Sequence, residues 1–266
     1  MNAKRTKVFL YLPTVLLGLC CMGLQNRLMT RGYDEKGLLV SQSLDFWLLW
    51  ILSLGFFVVV LAMLPKLGDP GTYRMNFPAC RMSGMAMMAA GGLMAISAMD
   101  ELVPGVSLLQ PLFNVAAGGV MVVCGLYRMK GKRPGFWLDL VVCVFYGLHL
   151  MRCYRGWNAS PHLQRYAFPL LAGIAAMLFS LHRARCAGGM MDRKRLVFTG
   201  FAGIFLCMVA LTGSDSPLFY AATGLWCAGG MCELRRFRRK RRIVVEPVEE
   251  QPEPETVLVP EPTEEI

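Results

Sequence analysis

Phe46 to Leu64 reads FWLLWILSLGFFVVVLAML, nineteen consecutive residues without a charge. A hydrocarbon core of about 30 Å takes about 20 helical residues to cross. A transmembrane β-strand would be about half as long and would alternate in polarity. This block is apolar on every face, so it predicts a membrane-spanning helix. Working outward, seven further blocks of similar character appear: Val8–Leu24, Met82–Met99, Val106–Leu126, Phe136–Met151, Ala167–Leu181, Leu196–Thr212 and Pro217–Cys232. The expected fold is therefore all-α, a polytopic integral membrane helical bundle of eight transmembrane helices over residues 1–242.

Composition agrees. Of 266 residues 55% are hydrophobic and only 17% charged, against roughly 25% charged in soluble domains. A soluble enzyme, a secreted disulfide scaffold and a wholly disordered chain are excluded. Lys4, Arg5 and Lys7 before the first block also fit a signal peptide. The apolar run is long for that, however, and no small-x-small cleavage site follows it. It is expected to be an uncleaved first span.

Orientation follows from the basic residues. If the N-terminus is cytoplasmic, the outer segments hold Arg27, Arg31, Lys36, Arg152, Arg155 and Arg165, and the other 22 of the 28 Lys and Arg lie on the inside. Positive loops are retained in the cytoplasm, so both termini are expected there and no basic residue lies deep in an expected span. The formal net charge of +10 is then mainly a record of topology, and it gives no reason to expect nucleic-acid binding.

After Arg242 the composition flips. Residues 243–266 contain eight Glu, five Pro and no basic residue, too little apolar surface to fold alone. A disordered acidic cytoplasmic tail is expected. Just before it, Arg235, Arg236, Arg238, Arg239, Lys240, Arg241 and Arg242 form a basic cluster. It anchors the topology after the last span and suits contact with anionic lipid headgroups, each charge contributing about 1 kcal/mol near such a surface.

Charges and polar groups inside the spans are the candidates for chemistry, because burial in lipid makes them costly. Asp139, Cys143, Tyr146, His149 and Cys153 are spaced by 4, 3, 3 and 4 residues, which places them on one stripe of the fifth span. One reading is a proton or ion relay between His149 and Asp139. Another places Asp139 one turn inside the cytoplasmic face, in reach of water, Lys132 or Arg133. Gln110 and Asn114, on the outer half of the fourth span, are polar amides in an apolar setting.

Small residues mark close helix contacts in lipid. They recur in the third span as Ser83, Ala86, Ala90 and Ser97, and in the pairs Ala172/Ala176, Thr199/Gly203 and Gly224/Ala228. The third span is the expected centre of the bundle. Its methionines are expected as gap fillers. Pro111, Pro169 and Pro217 each open an out-to-in span, which fits either a repeated hairpin or proline at helix starts. Tight loops predict antiparallel hairpins of spans three with four and seven with eight.

The ten cysteines show no CxxC or zinc-ligand spacing. They are expected to be small buried apolar residues, outside any structural disulfide. There is no HExxH, GxSxG, P-loop or GxGxxG motif, so no cofactor or metal is called for and an enzyme is not expected. Asn158-Ala-Ser160 fits a glycosylation sequon, while the short loops suit a bacterial cytoplasmic membrane. The expected role is a non-catalytic membrane component or interaction scaffold with a membrane-protein partner. The alternative is a small-solute or ion transporter using the fifth-span stripe.

Overall fold

The computed structural model describes residues 3–32, 44–67, 80–100, 109–157, 166–190 and 192–234. The basic cluster at 235–242 and the acidic tail lie outside the described residues. Eight α-helices follow one another: α1 (Ala3–Arg31), α2 (Leu44–Met63), α3 (Arg81–Asp100), α4 (Leu109–Met129), α5 (Phe136–Trp157), α6 (Ala167–Ala187), α7 (Arg193–Gly213) and α8 (Pro217–Cys232), with a short 3-10 turn at Leu64–Leu67 after α2. They form an all-α bundle, and no strand occurs among the described residues. Six of them, α2 to α7, are long and apolar enough to cross a membrane. Each coincides with an expected span, usually with a few more residues at one end.

The helices alternate in direction. Tyr11 of α1 packs on Phe201 of α7, and Gly18 lies against Met208, so these two run parallel. Phe56 of α2 stacks on Phe205 with ring centroids 4.1 Å apart, while Phe57 next to it meets Phe198, so α2 runs opposite to α7. Ser83 near the start of α3 meets Glu233 just beyond the end of α8. Odd helices begin, and even helices end, at the same end of the bundle. Two turns at that end rely on left-handed glycines, Gly131 (φ 69°) and Gly189 (φ 100°), where a side chain would be strained.

The centre is α7, and the expectation that α3 holds it is corrected. Of the apolar window of α7, 78% is buried, against 44% for α3 and 22% for α2. The helix is covered by α1, α2, α6 and α8. The small residues of α3 serve a narrower purpose, a close contact with α4 on one side and with α8 on another. On α2 the stripe Trp47, Ile51, Leu54, Val58 and Leu61 is more than half exposed. Large apolar side chains at helical spacing facing outward are what a lipid-facing helix requires.

The α3–α4 contact is built on glycines seven residues apart. A Cβ on Gly91 would lie 2.5 Å from the Gly118 carbonyl oxygen, and one on Gly118 would lie 2.6 Å from that of Gly91. Gly84 and Gly125 stand in the same reciprocal relation, at 2.8 and 2.7 Å. The two backbones touch at both levels, so dispersion contact between main chains holds the pair together. Gly91→Val is expected to lower thermal stability by about 1–3 kcal/mol, the usual cost of overpacking. Gly92→Ala, where nothing lies within 4 Å, is expected to hold the melting temperature or raise it slightly, since alanine is the better helix former. Melting of the two variants in detergent checks both.

Pro217 occupies the first turn of α8, and Pro111 and Pro169 likewise stand near the starts of α4 and α6. At those positions the missing N–H breaks no intrahelical bond. Gly118 packs on α3 and Gly224 approaches Cys207 of α7, so each small residue faces the preceding helix of its own hairpin.

Candidate functional site

The most unusual feature is a layer of buried charge at the end where odd helices begin. Asp139 stands in the first turn of α5, where the helix dipole favours a carboxylate. Its Oδ1 lies 3.0 Å from Nη2 of Arg183 near the end of α6, with both side chains almost wholly buried. That oxygen is outside hydrogen-bond alignment, so the attraction is one of charge. The Arg183 guanidinium also lies 4.4 Å over the ring of Trp226 on α8. It directs Nη1 and Nη2 at the Met87 sulfur of α3, each at 3.7 Å. The Trp226 indole donates to Ser180 Oγ at 3.1 Å. A cation in this interior is thus held by a carboxylate, an aromatic face and a polarizable sulfur.

A second ion pair lies alongside. Arg128, in the last turn of α4, donates to Glu233, and both side chains are about 1% exposed. The Glu233 Oε1 accepts from Ser83 Oγ at 2.7 Å. Glu233 caps the C-terminal end of α8, the end at which the dipole disfavours an anion. The arginine and the hydroxyl compensate. Ser83 and Met87 are one turn apart on α3, so α3 touches both pairs. Met87 touches the first pair and Ser83 the second, which brings the two pairs together along one face of α3. Five helices meet there: α3, α4, α5, α6 and α8.

The sequence-derived stripe takes its place around this layer. Asp139 is buried away from water, and Arg183, which the sequence reading did not bring to it, is its ion-pair partner. The charge of Arg183 closes the apolar window at Leu181, but α6 continues to Ala187 and carries the arginine inside. Arg183 and Arg128 stand near the ends of their helices, so no basic residue lies deep in a span, but both are buried where the sequence placed them in loops. Tyr146 is fully buried, and its hydroxyl donates to Thr223 Oγ1 at 3.3 Å. His149 stacks on Phe219 with centroids 4.0 Å apart, and its Nε2 is 3.3 Å from Cys153 Sγ. Asp139 and His149, ten residues apart, are separated by about 15 Å of helix, and Tyr146 between them is bonded to α8. Asn114 is fully buried with neither amide atom hydrogen-bonded. The Gln110 side chain lies outside the described residues. The polar groups are thus distributed over separate helix contacts.

Sequence reading passed over Glu233, Arg128 and Arg183. The available signal was weak: Glu233 is a lone carboxylate just before seven basic residues, which reads as part of a solvated cluster. All ten cysteines are free thiols. Among the described residues, no three His, Cys, Asp or Glu side chains gather into a metal-binding group.

The chain matches no protein-family model, no curated protein and no solved structure.

Proposed function

We propose that the chain is a non-catalytic multi-pass membrane component, a helical scaffold for a membrane-protein partner, locked at its cytoplasmic end by the two buried ion pairs. The observation that carries this reading is that the intramembrane charges compensate one another across five helices. Paired, buried charges fix helix positions; a transport path needs polar groups that share one enclosed space. Orientation rests on the 22 of 28 basic residues that fall on one side, which puts both termini and the ion-pair layer at the cytoplasmic face. Short loops support a bacterial cytoplasmic membrane as the site.

The partner-facing parts are the basic cluster Arg235 to Arg242, suited to anionic lipid, and the acidic tail beyond it. Removing residues 243–266 is expected to leave membrane insertion intact while abolishing co-purification of the partner. Crosslinking in membranes followed by affinity purification of both forms checks this. Equal recovery of the partner from the truncated chain would remove the tail from the interface.

The transporter reading keeps one supporting observation, the buried Asn114 amide with no hydrogen-bond partner. Proteoliposome uptake with a panel of ions and small solutes separates the two readings. The scaffold predicts no uptake above empty vesicles by the wild-type chain or by Asp139→Asn. Uptake by the wild type that collapses in Asp139→Asn would make α5 a transport path and overturn the proposal.

A further inference from the structure

α4 and α5 are consecutive helices joined by one short turn, yet each packs mainly on another neighbour, α4 on α3 and α5 on α6. The two separate as they leave the turn, and an apolar furrow opens between them toward lipid. Val123 and Tyr127 of α4 and Trp137, Val141 and Leu148 of α5 are 40–64% exposed on the outer faces of the pair. The turn above the furrow is rigid. Gly131 is left-handed (φ 69°); its N–H donates to the Arg128 carbonyl at 3.0 Å, and the Lys132 N–H donates to that of Tyr127 at 2.9 Å. These two bonds close the helix end and fix the main chain at Lys130 and Lys132, one residue either side of the glycine. Both lysines are exposed. Among the described residues neither meets a carboxylate, and Asp139, the nearest in sequence, is held inside by Arg183.

We propose that this turn and furrow form a binding site for one anionic phospholipid, with its phosphate headgroup on Lys130 and Lys132 and an acyl chain in the furrow. The site goes beyond the scaffold reading and does not rest on it, and it uses none of the cluster Arg235 to Arg242. Charge and shape together select the ligand. Two uncompensated cations stand at the end of two spans, beside the exposed rings of Tyr127 and Trp137. Such aromatic side chains sit at the headgroup level of a bilayer, and basic pockets between spans at that level bind acidic headgroups. Below the lysines both walls are apolar, so the ligand that satisfies the site is anionic at one end and aliphatic along its length. A zwitterionic lipid would leave the lysines uncompensated, and a free phosphate would leave the furrow empty.

The test uses the full chain in detergent, titrated with dioleoyl phosphatidylglycerol or dioleoyl phosphatidylcholine, with bound lipid counted by native mass spectrometry. The wild type is expected to retain one phosphatidylglycerol about tenfold more tightly than phosphatidylcholine. Lys130→Gln/Lys132→Gln is expected to remove that preference and to leave the melting temperature unchanged, because both side chains are exposed. Lys194→Gln/Arg195→Gln, which removes the same charge from exposed positions at the start of α7, is expected to keep the preference. Inorganic phosphate at millimolar concentration is expected to leave the bound lipid in place. Equal retention of the two lipids by the wild type, an equal loss in the α7 pair, or release of the lipid by phosphate would each overturn the proposal. If the double variant melts early, Lys132→Gln alone gives the same comparison with a loss of about threefold, and an unchanged preference there is equally decisive against it.

Discussion

Asp139→Ala is expected to destabilise the bundle by about 3–5 kcal/mol, the loss typical of removing one partner from a buried ion pair. The substitution deletes a small side chain. The cost arises at Arg183, whose guanidinium stays in the interior at about 2% exposure with its compensating carboxylate gone. Trp226 and the Met87 sulfur remain in contact with it, but a ring face and a thioether supply less than an anion does. Since α6 brings the arginine and α5 the carboxylate, the loss is expected to loosen these two helices first. Thermal unfolding in detergent measures the total. Asp139→Asn, which keeps the shape and some polarity, is expected to fall between Ala and wild type.

Glu233→Ala is expected to cost a similar amount, about 3–5 kcal/mol, and to act on a different pair of helices. It removes the carboxylate that Arg128 and Ser83 both address, so a buried cation and a buried hydroxyl lose a partner together. Ser83→Ala removes one neutral-to-charged hydrogen bond and is expected to cost about 1.5–3 kcal/mol. Glu233 is also the last charged group before the chain leaves the described bundle, and Leu234 after it is 4% exposed. Losing the carboxylate should therefore free the end of α8 from α3 and α4. Limited proteolysis is expected to cut Glu233→Ala within α8, at sites protected in the wild type.

The number and extent of the helices were legible in the sequence because they depend on block length and on the charges that bound each block, both of which survive without knowledge of packing. Phe46–Leu64 and Pro217–Cys232 were bounded to within two residues of the helices observed. The ends were lost where a charge closed the apolar window too early. Ala167–Leu181 stopped short of Arg183, and Val106–Leu126 short of Arg128, since nothing local distinguishes a charge that will be paired inside from one that meets water. The partners lie far off in sequence: Arg128 and Glu233 are separated by 105 residues.

Side-chain direction was only half legible. Helical spacing placed Asp139, Tyr146 and His149 on one face correctly, and all three are buried. It could not separate their neighbours, because Arg183, Thr223 and Phe219 come from two other helices. The glycine contact of α3 and α4, Gly84 and Gly91 against Gly125 and Gly118, was missed, because its seven-residue spacing lies outside the small-xxx-small pattern that was read. The centrality of α7 had no sequence signal, since its hydropathy is below that of the exposed α2; in lipid, hydropathy does not report burial.

The buried charges lock helices together by compensating each other. A double-mutant cycle across Asp139 and Arg183 tests it, using Asp139→Leu, Arg183→Met and the double variant, each followed by thermal unfolding in detergent. A structural lock predicts that the double variant is more stable than Asp139→Leu alone, with a coupling energy of about 2–3 kcal/mol. Losses that simply add, with coupling within about 0.5 kcal/mol of zero, would contradict it.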